Sequence, residues 1–143
     1  MMNVEDYEFP DDLYYEKNHF WGKILEDGNI LFGATDYFQK MAGEIVFIEL
    51  PMKGAKVEQG KSVSSLESGK WVGRVFVPFS GEIIEVNSEL EDSPELINES
   101  CYNEGWIAKI KPSKVQEEIA NLMKTGPDFE EFMKEEIQKN VKK

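Results

Sequence analysis

The sequence is short of the residues on which most site chemistry depends. Its 143 residues contain one cysteine, Cys101, and one histidine, His19. A zinc site built from cysteine and histidine needs several such ligands, and a single cysteine cannot form an internal disulfide. No nucleophile-elbow glycine pattern accompanies any serine or Cys101, so a nucleophilic triad with His19 is not indicated. We therefore predict no catalytic residue and no metal site.

Positive charge is also scarce, because 16 lysines and arginines face 28 aspartates and glutamates, giving a net charge of -12. Such a surface repels phosphate backbones and anionic lipid. We therefore expect neither nucleic acid nor membranes as partners. It favours partners with a basic docking face. The chain has no apolar run of the roughly 20 residues needed to span a bilayer. Its first residues lack a signal-peptide pattern, so we predict a cytoplasmic protein.

The patterns that are present predict a mainly β protein. Asp27-Gly28 between two apolar runs is a strong hairpin signal. Short apolar runs at 45–50, 62–66, 75–77 and 82–86 are separated by glycine and proline, which is typical of a small sandwich or flattened barrel. Thr35 followed by an apolar segment and Gly43 predicts a short capped helix.

The chain divides into three parts on these patterns. Residues 1–12 are polar and acidic and predict a flexible lead-in, and residues 13–112 form the predicted β domain. Ser93 is predicted to cap a single helical turn within that domain. Residues 113–143 are predicted to form C-terminal helices packed on the domain, one of about three turns up to Gly126 and a second from Asp128.

Lys70 stands out because it lies between two predicted strands, directly after Gly69. A glycine supplies the backbone freedom that a tight hairpin tip requires. A lysine at such a tip projects its amine away from the sheet, where a modifying enzyme can reach it. By itself this pattern is weak, because most exposed turn lysines only solvate the turn.

An ordered set of motifs strengthens this interpretation. The segments are NHFW (18–21), GATDYFQ (33–39), GEIVFIELP (43–51), ESGK (67–70), PFSGEIIEVN (78–87), LEDSPELIN (90–98) and YNEGWIAKIKPS (102–113). With these segments the chain resembles the glycine cleavage system H-protein family over residues 13–113.

The resemblance implies that Lys70 carries lipoate in amide linkage, with Glu67, Gly69 and Gly81 at the family positions around the lipoyl hairpin. It implies a lipoyl-type flattened β-barrel, also called a barrel-sandwich hybrid, with short helices and a C-terminal helical extension. The implied function is that of a non-catalytic carrier whose swinging arm shuttles an intermediate and electrons between enzymes during glycine decarboxylation. The implied partners are a lipoate ligase or lipoyltransferase and the P, T and L proteins, and the implied state is a monomer.

The sequence departs from the family at the positions that shelter a cationic aminomethyl cargo. Where the family has an acidic residue, a histidine and an aspartate, this chain has Phe20, Tyr37 and Arg74, and Trp71 replaces a small residue after the lysine. Exchanging an anion for a cation near an ammonium turns attraction into repulsion. We therefore take these four residues as candidate contacts of the arm or its cargo.

These departures leave alternatives open. Arg74, with Tyr37 and Trp71, favours a neutral or anionic cargo such as a sulfur species over an aminomethyl group, and the other interpretation is that these are neutral variations in a working glycine cleavage carrier. The chain is also similar to H-like lipoate-binding proteins of a heterodisulfide-reductase-like sulfur oxidation system, whose complex would then be the partner and a sulfur species the cargo. A lipoyl relay donor would have the same sequence features. A biotin carrier would need methionine on both sides of the lysine, where Gly69 and Trp71 stand. An unmodified interaction module is the remaining alternative.

Overall fold

A computed structural model describes residues 1–141 of the chain. Its strands are β1 (Met2–Val4), β2 (Tyr7–Phe9), β3 (Tyr14–Glu16), β4 (Phe20–Ile24), β5 (Ile30–Ala34), β6 (Ile45–Ile48), β7 (Lys56–Val57), β8 (Ser62–Ser68), β9 (Val72–Phe76), β10 (Gly81–Val86) and β11 (Ala108–Pro112). Its helices are α1 (Asp36–Ala42), α2 (Glu89–Asp92), α3 (Leu96–Glu99), α4 (Val115–Ile119) and α5 (Pro127–Val141).

The strands form three antiparallel sheets. A six-stranded sheet has the order β3-β4-β5-β11-β10-β7, a three-stranded sheet has the order β6-β8-β9, and β1 pairs with β2 alone. The two larger sheets enclose the main hydrophobic core between them. The prediction of a mainly β sandwich with short helices and a helical C-terminal extension is confirmed.

The predicted Asp-Gly hairpin is confirmed. β4 and β5 are paired from Phe20 opposite Ala34 to Ile24 opposite Ile30. In the turn between them Gly28 has a φ of 89°, a conformation that glycine adopts without steric cost. The Asp27 carboxylate accepts a hydrogen bond from the Asn29 backbone N–H at 3.0 Å, which fixes the turn locally.

The predicted short helix is also confirmed, as α1. The Thr35 hydroxyl accepts the Phe38 N–H at 3.2 Å, which satisfies one of the free donors of the first turn. At the other end Gly43 has a φ of 83° and donates its N–H to the Gln39 carbonyl. These two caps fix where α1 begins and where it ends. Its C-terminal end, at Gly43, lies beside the hairpin that carries Lys70.

The prediction for residues 1–12 is wrong in its local structure. β1 and β2 form a hairpin there, with Val4 opposite Tyr7, and the side chains of Val4 and Phe9 are buried. The Phe9 ring packs edge-to-face on Phe129 of α5 at 4.9 Å between centroids. The apolar residues are too few and too interrupted by acidic ones to signal a strand. Contacts with distant segments stabilise this hairpin, among them the Phe129 ring of α5 and the Tyr37 ring of α1, which packs edge-to-face on Tyr7.

Two further local predictions need correction. Ser93 follows α2 instead of capping a helix, and α3 begins at Leu96. The helix after residue 113 is shorter than predicted, because α4 ends at Ile119. Met123 then exchanges two backbone hydrogen bonds with Tyr15, at 2.8 and 2.9 Å. Because both backbone groups of Met123 are bonded to Tyr15, they are not available for helical hydrogen bonds, and the helix cannot extend through Met123 as predicted.

The described residues bury two hydrophobic clusters. The first lies between the large sheets and includes Phe20, Phe32, Leu66, Ile83 and Ile110. The second lies between β1–β4 and α5 and includes Phe9, Tyr15, Trp21, Phe129, Met133 and Ile137. The predicted apolar stripe of α5 therefore packs into the protein, where each buried side chain contributes about 1.5–3 kcal/mol. The division of the chain at residues 12 and 112 stays a prediction.

Candidate functional site

The candidate site is built around a hairpin tip. β8 and β9 are paired as far as Glu67 opposite Val72, and the Ser68 N–H donates to the Trp71 carbonyl at 2.8 Å to close the turn. The Lys70 N–H donates to the Ser68 hydroxyl at 3.4 Å. Gly69 and Lys70 occupy the turn and are both exposed. The role predicted for Gly69 needs correction, because its φ is not positive and the turn therefore does not use the extra backbone freedom of glycine. The structure therefore presents the Lys70 side chain at the outermost point of this hairpin.

The aliphatic part of Lys70 lies over Gly43 at the end of α1. A Cβ placed on Gly43 would lie 3.2 Å from the Lys70 Cε and 3.7 Å from its Nζ. A larger residue at position 43 would also need the left-handed backbone that Gly43 adopts there. The helix end and the hairpin tip thus meet across a glycine, and the exposed Lys70 keeps its amine accessible.

A groove of about 580 Å³ opens beside the tip, between α1 and β9. It is lined by Lys17, Asn18, His19, Tyr37, Phe38, Met41, Ala42, Trp71, Arg74, Phe76 and Glu136. The apolar side chains come from α1, from Trp71 just before β9 and from Phe76 of β9, and the polar ones come mainly from the segment before β4 and from α5. The groove can therefore hold a flexible apolar chain whose far end reaches polar groups.

Trp71 forms the wall of the groove nearest to the tip. Its indole ring lies across Gly73, where an added Cβ would come within 1.8 Å of the ring carbon Cη2. The ring also meets Phe38 of α1 edge-to-face, with 5.5 Å between centroids. Gly73 is therefore the residue that lets Trp71 lie flat on β9. With 42% of its surface exposed, Trp71 offers an apolar contact beside Lys70.

The structure brings three of the four predicted contact candidates to this groove. Tyr37, Trp71 and Arg74 line it. Phe20 does not line it, and its selection as a contact candidate needs correction, because its side chain is fully buried in the first cluster. The first three residues of β4 are buried, with Phe20 and Trp21 on opposite faces, so the pattern of side chains there gave no sign of the direction in which Phe20 points.

The other two predicted positions, Glu67 and Gly81, do not line the groove. Glu67 is exposed near the end of β8, three residues before Lys70. Gly81 begins β10, in the other sheet, and pairs with Val57 and Pro112. An added Cβ at Gly81 would lie 2.0 Å from the Lys111 carbonyl oxygen. Close backbone packing thus accounts for the glycine at position 81.

A pair that the sequence did not reveal lies at the far end of the groove. His19 Nε2 is 2.8 Å from Glu136 Oε1 of α5, across 117 positions of the chain. The His19 ring packs edge-to-face on Tyr37 at 4.7 Å, and the Tyr37 hydroxyl donates to the Glu136 carbonyl at 3.2 Å. His19 has a φ of 77°, a conformation that costs a non-glycine residue about 1 kcal/mol or more. The surrounding contacts hold it there.

The charge state of this pair follows from its surroundings. Burial lowers the pKa of His19 below 6.5, and the hydrogen bond to Glu136 only partly opposes this. Burial acts to raise the pKa of Glu136, but hydrogen bonds from His19 and Lys139 outweigh it and the pKa falls below 4.5. With both pKa values lowered, His19 is a neutral imidazole near pH 7, and its Nε2–H donates to the ionised carboxylate of Glu136.

These directions predict how stability responds to acid. Because folding lowers the pKa of His19, the unfolded chain binds more protons than the folded chain below pH 6.5, so stability is lost as the pH falls through that value. Glu136 adds a loss in the same direction at lower pH. We expect the melting temperature of the protein to fall between about pH 7.5 and about pH 5.5, and to fall less in His19→Asn.

Asparagine is the matched replacement because it tolerates positive φ and does not titrate. His19 is the only histidine in the sequence, so the difference between the two proteins in thermal unfolding, followed by circular dichroism across this pH range, reports on His19. If the melting temperatures of wild type and His19→Asn fell equally with pH, the lowered pKa assigned to His19 would be wrong.

The fold and the site together define a class of protein. A small β-sandwich that presents one lysine on a rigid hairpin, beside an apolar groove, is suited to carry a covalently attached arm between enzymes. Tethering keeps the group on such an arm at high effective concentration near each docked partner.

Comparisons with known proteins identify the family. The family model of the glycine cleavage H-protein matches residues 13–136. A probable glycine cleavage system H protein of Pyrococcus abyssi is 48% identical over 134 residues, covering 94% of this chain and 98% of its own length. Glycine cleavage system H protein 2 of Aquifex aeolicus is 44% identical over 140 residues, covering 95% and 86% of the two chains.

A crystal structure of a glycine cleavage system H protein from Mycobacterium marinum matches with a TM-score of 0.70 and 34% identity. The match covers 73% of this chain and 87% of that one. The chain belongs to the glycine cleavage H-protein family, a family of lipoyl carriers. The resemblance seen in the motifs and the lipoyl-type fold class are thereby confirmed.

Among the helices of residues 1–141, none has both the length and the apolar character that a membrane crossing requires.

Proposed function

We propose that Lys70 is the lipoyl attachment site and that the chain is a non-catalytic carrier serving a glycine cleavage system. In this role it shuttles a covalently bound intermediate and electrons between the P, T and L proteins. The observation that carries the proposal is the exposed amine of Lys70 at a closed hairpin tip, beside an apolar groove, in a member of this family.

The residues around Lys70 fit a lipoyl group. The amine is accessible for an amide bond, and acylation removes its charge, which suits the apolar wall of Trp71 and Phe38 next to it. The arm would extend about 14 Å at roughly 1.5 Å per bond. When bound, the group supplies a dithiol and disulfide couple that carries cargo and electrons.

The protein's own residues act on the arm by positioning it. Trp71, Phe38 and Met41 offer apolar contacts that exclude water from one side of the groove. His19, Tyr37 and Glu136 place polar groups at the far end, held by their mutual contacts. The closed turn at Ser68 and Trp71 keeps the attachment point rigid, so only the arm needs to move between partners.

The cargo we propose is the aminomethyl intermediate of glycine cleavage. The sulfur alternative rests on Arg74 and Tyr37, at positions where the family has an aspartate and a histidine. The same groove also contains the carboxylate of Glu136, which supplies an anion for a cationic cargo. The relatives from Pyrococcus abyssi and Aquifex aeolicus carry glycine cleavage system names, which favours the same cargo.

The remaining expectations follow from charge and size. With a net charge of -12, the chain is expected to dock on basic faces of its partners. We propose that it works as a monomer in the cytoplasm and that a lipoate ligase or a lipoyltransferase loads it.

Intact-protein mass spectrometry tests the proposal. The unmodified chain is incubated with a lipoate ligase, lipoate and ATP, and a second lipoyl protein serves as the positive control for the ligase. We expect a mass increase of one lipoyl group, which peptide mapping assigns to Lys70. If the positive control is loaded and this chain is not, or if another lysine carries the group, the proposal is wrong.

A further inference from the structure

Large apolar side chains are exposed on the outer face of the three-stranded sheet. Val46, Phe47 and Val72 have 54%, 51% and 67% of their surface exposed. Exposed apolar residues that adjoin one another are characteristic of protein interaction sites, whereas single ones carry no such meaning. These three side chains therefore indicate an interaction site only if they adjoin one another.

The strand register places them side by side. Phe47 of β6 is directly opposite Glu67 of β8, and Glu67 is directly opposite Val72 of β9. Residues paired across antiparallel strands point to the same face of the sheet, so these three side chains form one row. Val46 occupies the irregularity between Ile45 and Phe47, which turns it to solvent as well. We call Val46, Phe47, Glu67 and Val72 the outer row.

The outer row is mostly bordered by acidic groups. Glu44 and Glu49 are exposed on either side of Val46 and Phe47 in the chain, and Glu67 lies within the row. Among the side chains that the structure describes, none forms an ion pair with these three carboxylates. Arg74 is the basic group on the β9 side, opposite Ser65 in the next row. An apolar strip with acidic borders fits a partner surface that is apolar at its centre and basic around it.

The reach of Lys70 identifies which partner meets this row. A lysine side chain spans only about 6 Å from Cα to Nζ, at roughly 1.5 Å per bond. An enzyme that acylates the bare amine must therefore contact the residues immediately around the tip. Enzymes that act at the end of the lipoyl arm, about 14 Å further out, are not under that constraint. The outer row lies directly behind the tip, since Val72 is two residues from Lys70.

We propose that the outer row is the docking surface for the enzyme that attaches lipoate to Lys70, with Phe47 and Val72 as its apolar contacts. This inference rests on the proposed function. In the reaction that this enzyme catalyses, the neutral Lys70 amine attacks the carbonyl carbon of an activated lipoyl group. A C–N bond forms, the bond to the activating group breaks, and the amine loses one proton to solvent.

Steady-state lipoylation kinetics test the proposal with the full-length chain as substrate. The variants are Phe47→Thr, Val72→Thr and their combination, because threonine keeps the strand preference and shortens or polarises only an exposed side chain. We expect kcat/KM for the double variant to fall at least about tenfold, through KM, while saturating amounts of carrier are still fully loaded. The wild-type rate is expected to fall with added salt.

Met52→Thr is the matched control, since Met52 is 78% exposed in the turn after β6, where its carbonyl accepts the Ala55 N–H away from the hairpin. It is expected to be loaded like wild type. If the double variant is loaded within about twofold of wild type, the docking surface is wrong even though Lys70 is lipoylated. If sedimentation shows that the row instead mediates self-association that the variants abolish, the proposed partner is also wrong. Failure to load the wild-type chain would contradict the proposed function itself.

Discussion

Arginine in place of Lys70 is expected to abolish carrier function completely while leaving the fold unchanged. The guanidinium keeps the positive charge at the tip, but it stays protonated and offers no free amine for acylation. We expect no mass increase with lipoate ligase, and glycine decarboxylation in a reconstituted system at the level seen without carrier. Because residue 70 is exposed, the free energy of unfolding should change by about 0.5 kcal/mol at most.

Lys61→Arg is the control for this variant. Lys61 is an exposed lysine just before β8, at the opposite end of the same hairpin. Lipoylation and decarboxylation should both match wild type. Lipoylation of Lys70→Arg at a normal rate would place the arm on another residue and overturn the assignment of the site.

Alanine in place of Gly81 is expected to destabilise the protein far more than alanine in place of Gly69. The added Cβ would lie 2.0 Å from the Lys111 carbonyl oxygen and 2.9 Å from the Ile110 Cγ2. Both neighbours belong to β11 in the middle of the six-stranded sheet, so the clash cannot be relieved by a flexible side chain. Gly81 also has a φ of 155°. We expect a loss of about 3 kcal/mol or more, measured by urea unfolding.

Gly69→Ala is the paired measurement, because nothing lies within 4 Å of a Cβ at Gly69 and its φ is not positive. Its stability should stay within about 0.5 kcal/mol of wild type. The pair also tests the predicted role of Gly81 beside the lipoyl hairpin. If Gly81→Ala were as stable as wild type but poorly lipoylated, recognition by the attaching enzyme would explain the glycine better than packing does.

Several features of the fold were predictable because their causes are local. The Asp27-Gly28 turn and the caps of α1 at Thr35 and Gly43 depend on residues within a few positions of one another. The apolar stripe of α5 likewise depends on residues three or four positions apart in the chain. Such features follow from backbone conformation and short-range hydrogen bonds, which the order of residues specifies.

Other features depend on contacts between distant segments, and these could not be predicted. The hairpin of β1 and β2 packs on Phe129, and Met123 lies outside a helix because it pairs with Tyr15. The direction of Phe20 was not evident because β4 contributes Phe20 to one cluster and Trp21 to the other. In each case long-range burial outweighs a weak local preference.

The sequence by itself determined the family and the position of Lys70 between two strands, because ordered motifs and the alternation of apolar runs with turn residues are properties of the chain. Only the tertiary structure decided what surrounds that lysine. It brings Gly43 under the Lys70 side chain, Phe38 against Trp71 and Glu136 to His19. The physical reason is that a groove is made by close packing of elements far apart in sequence, and no local pattern encodes the distance between them.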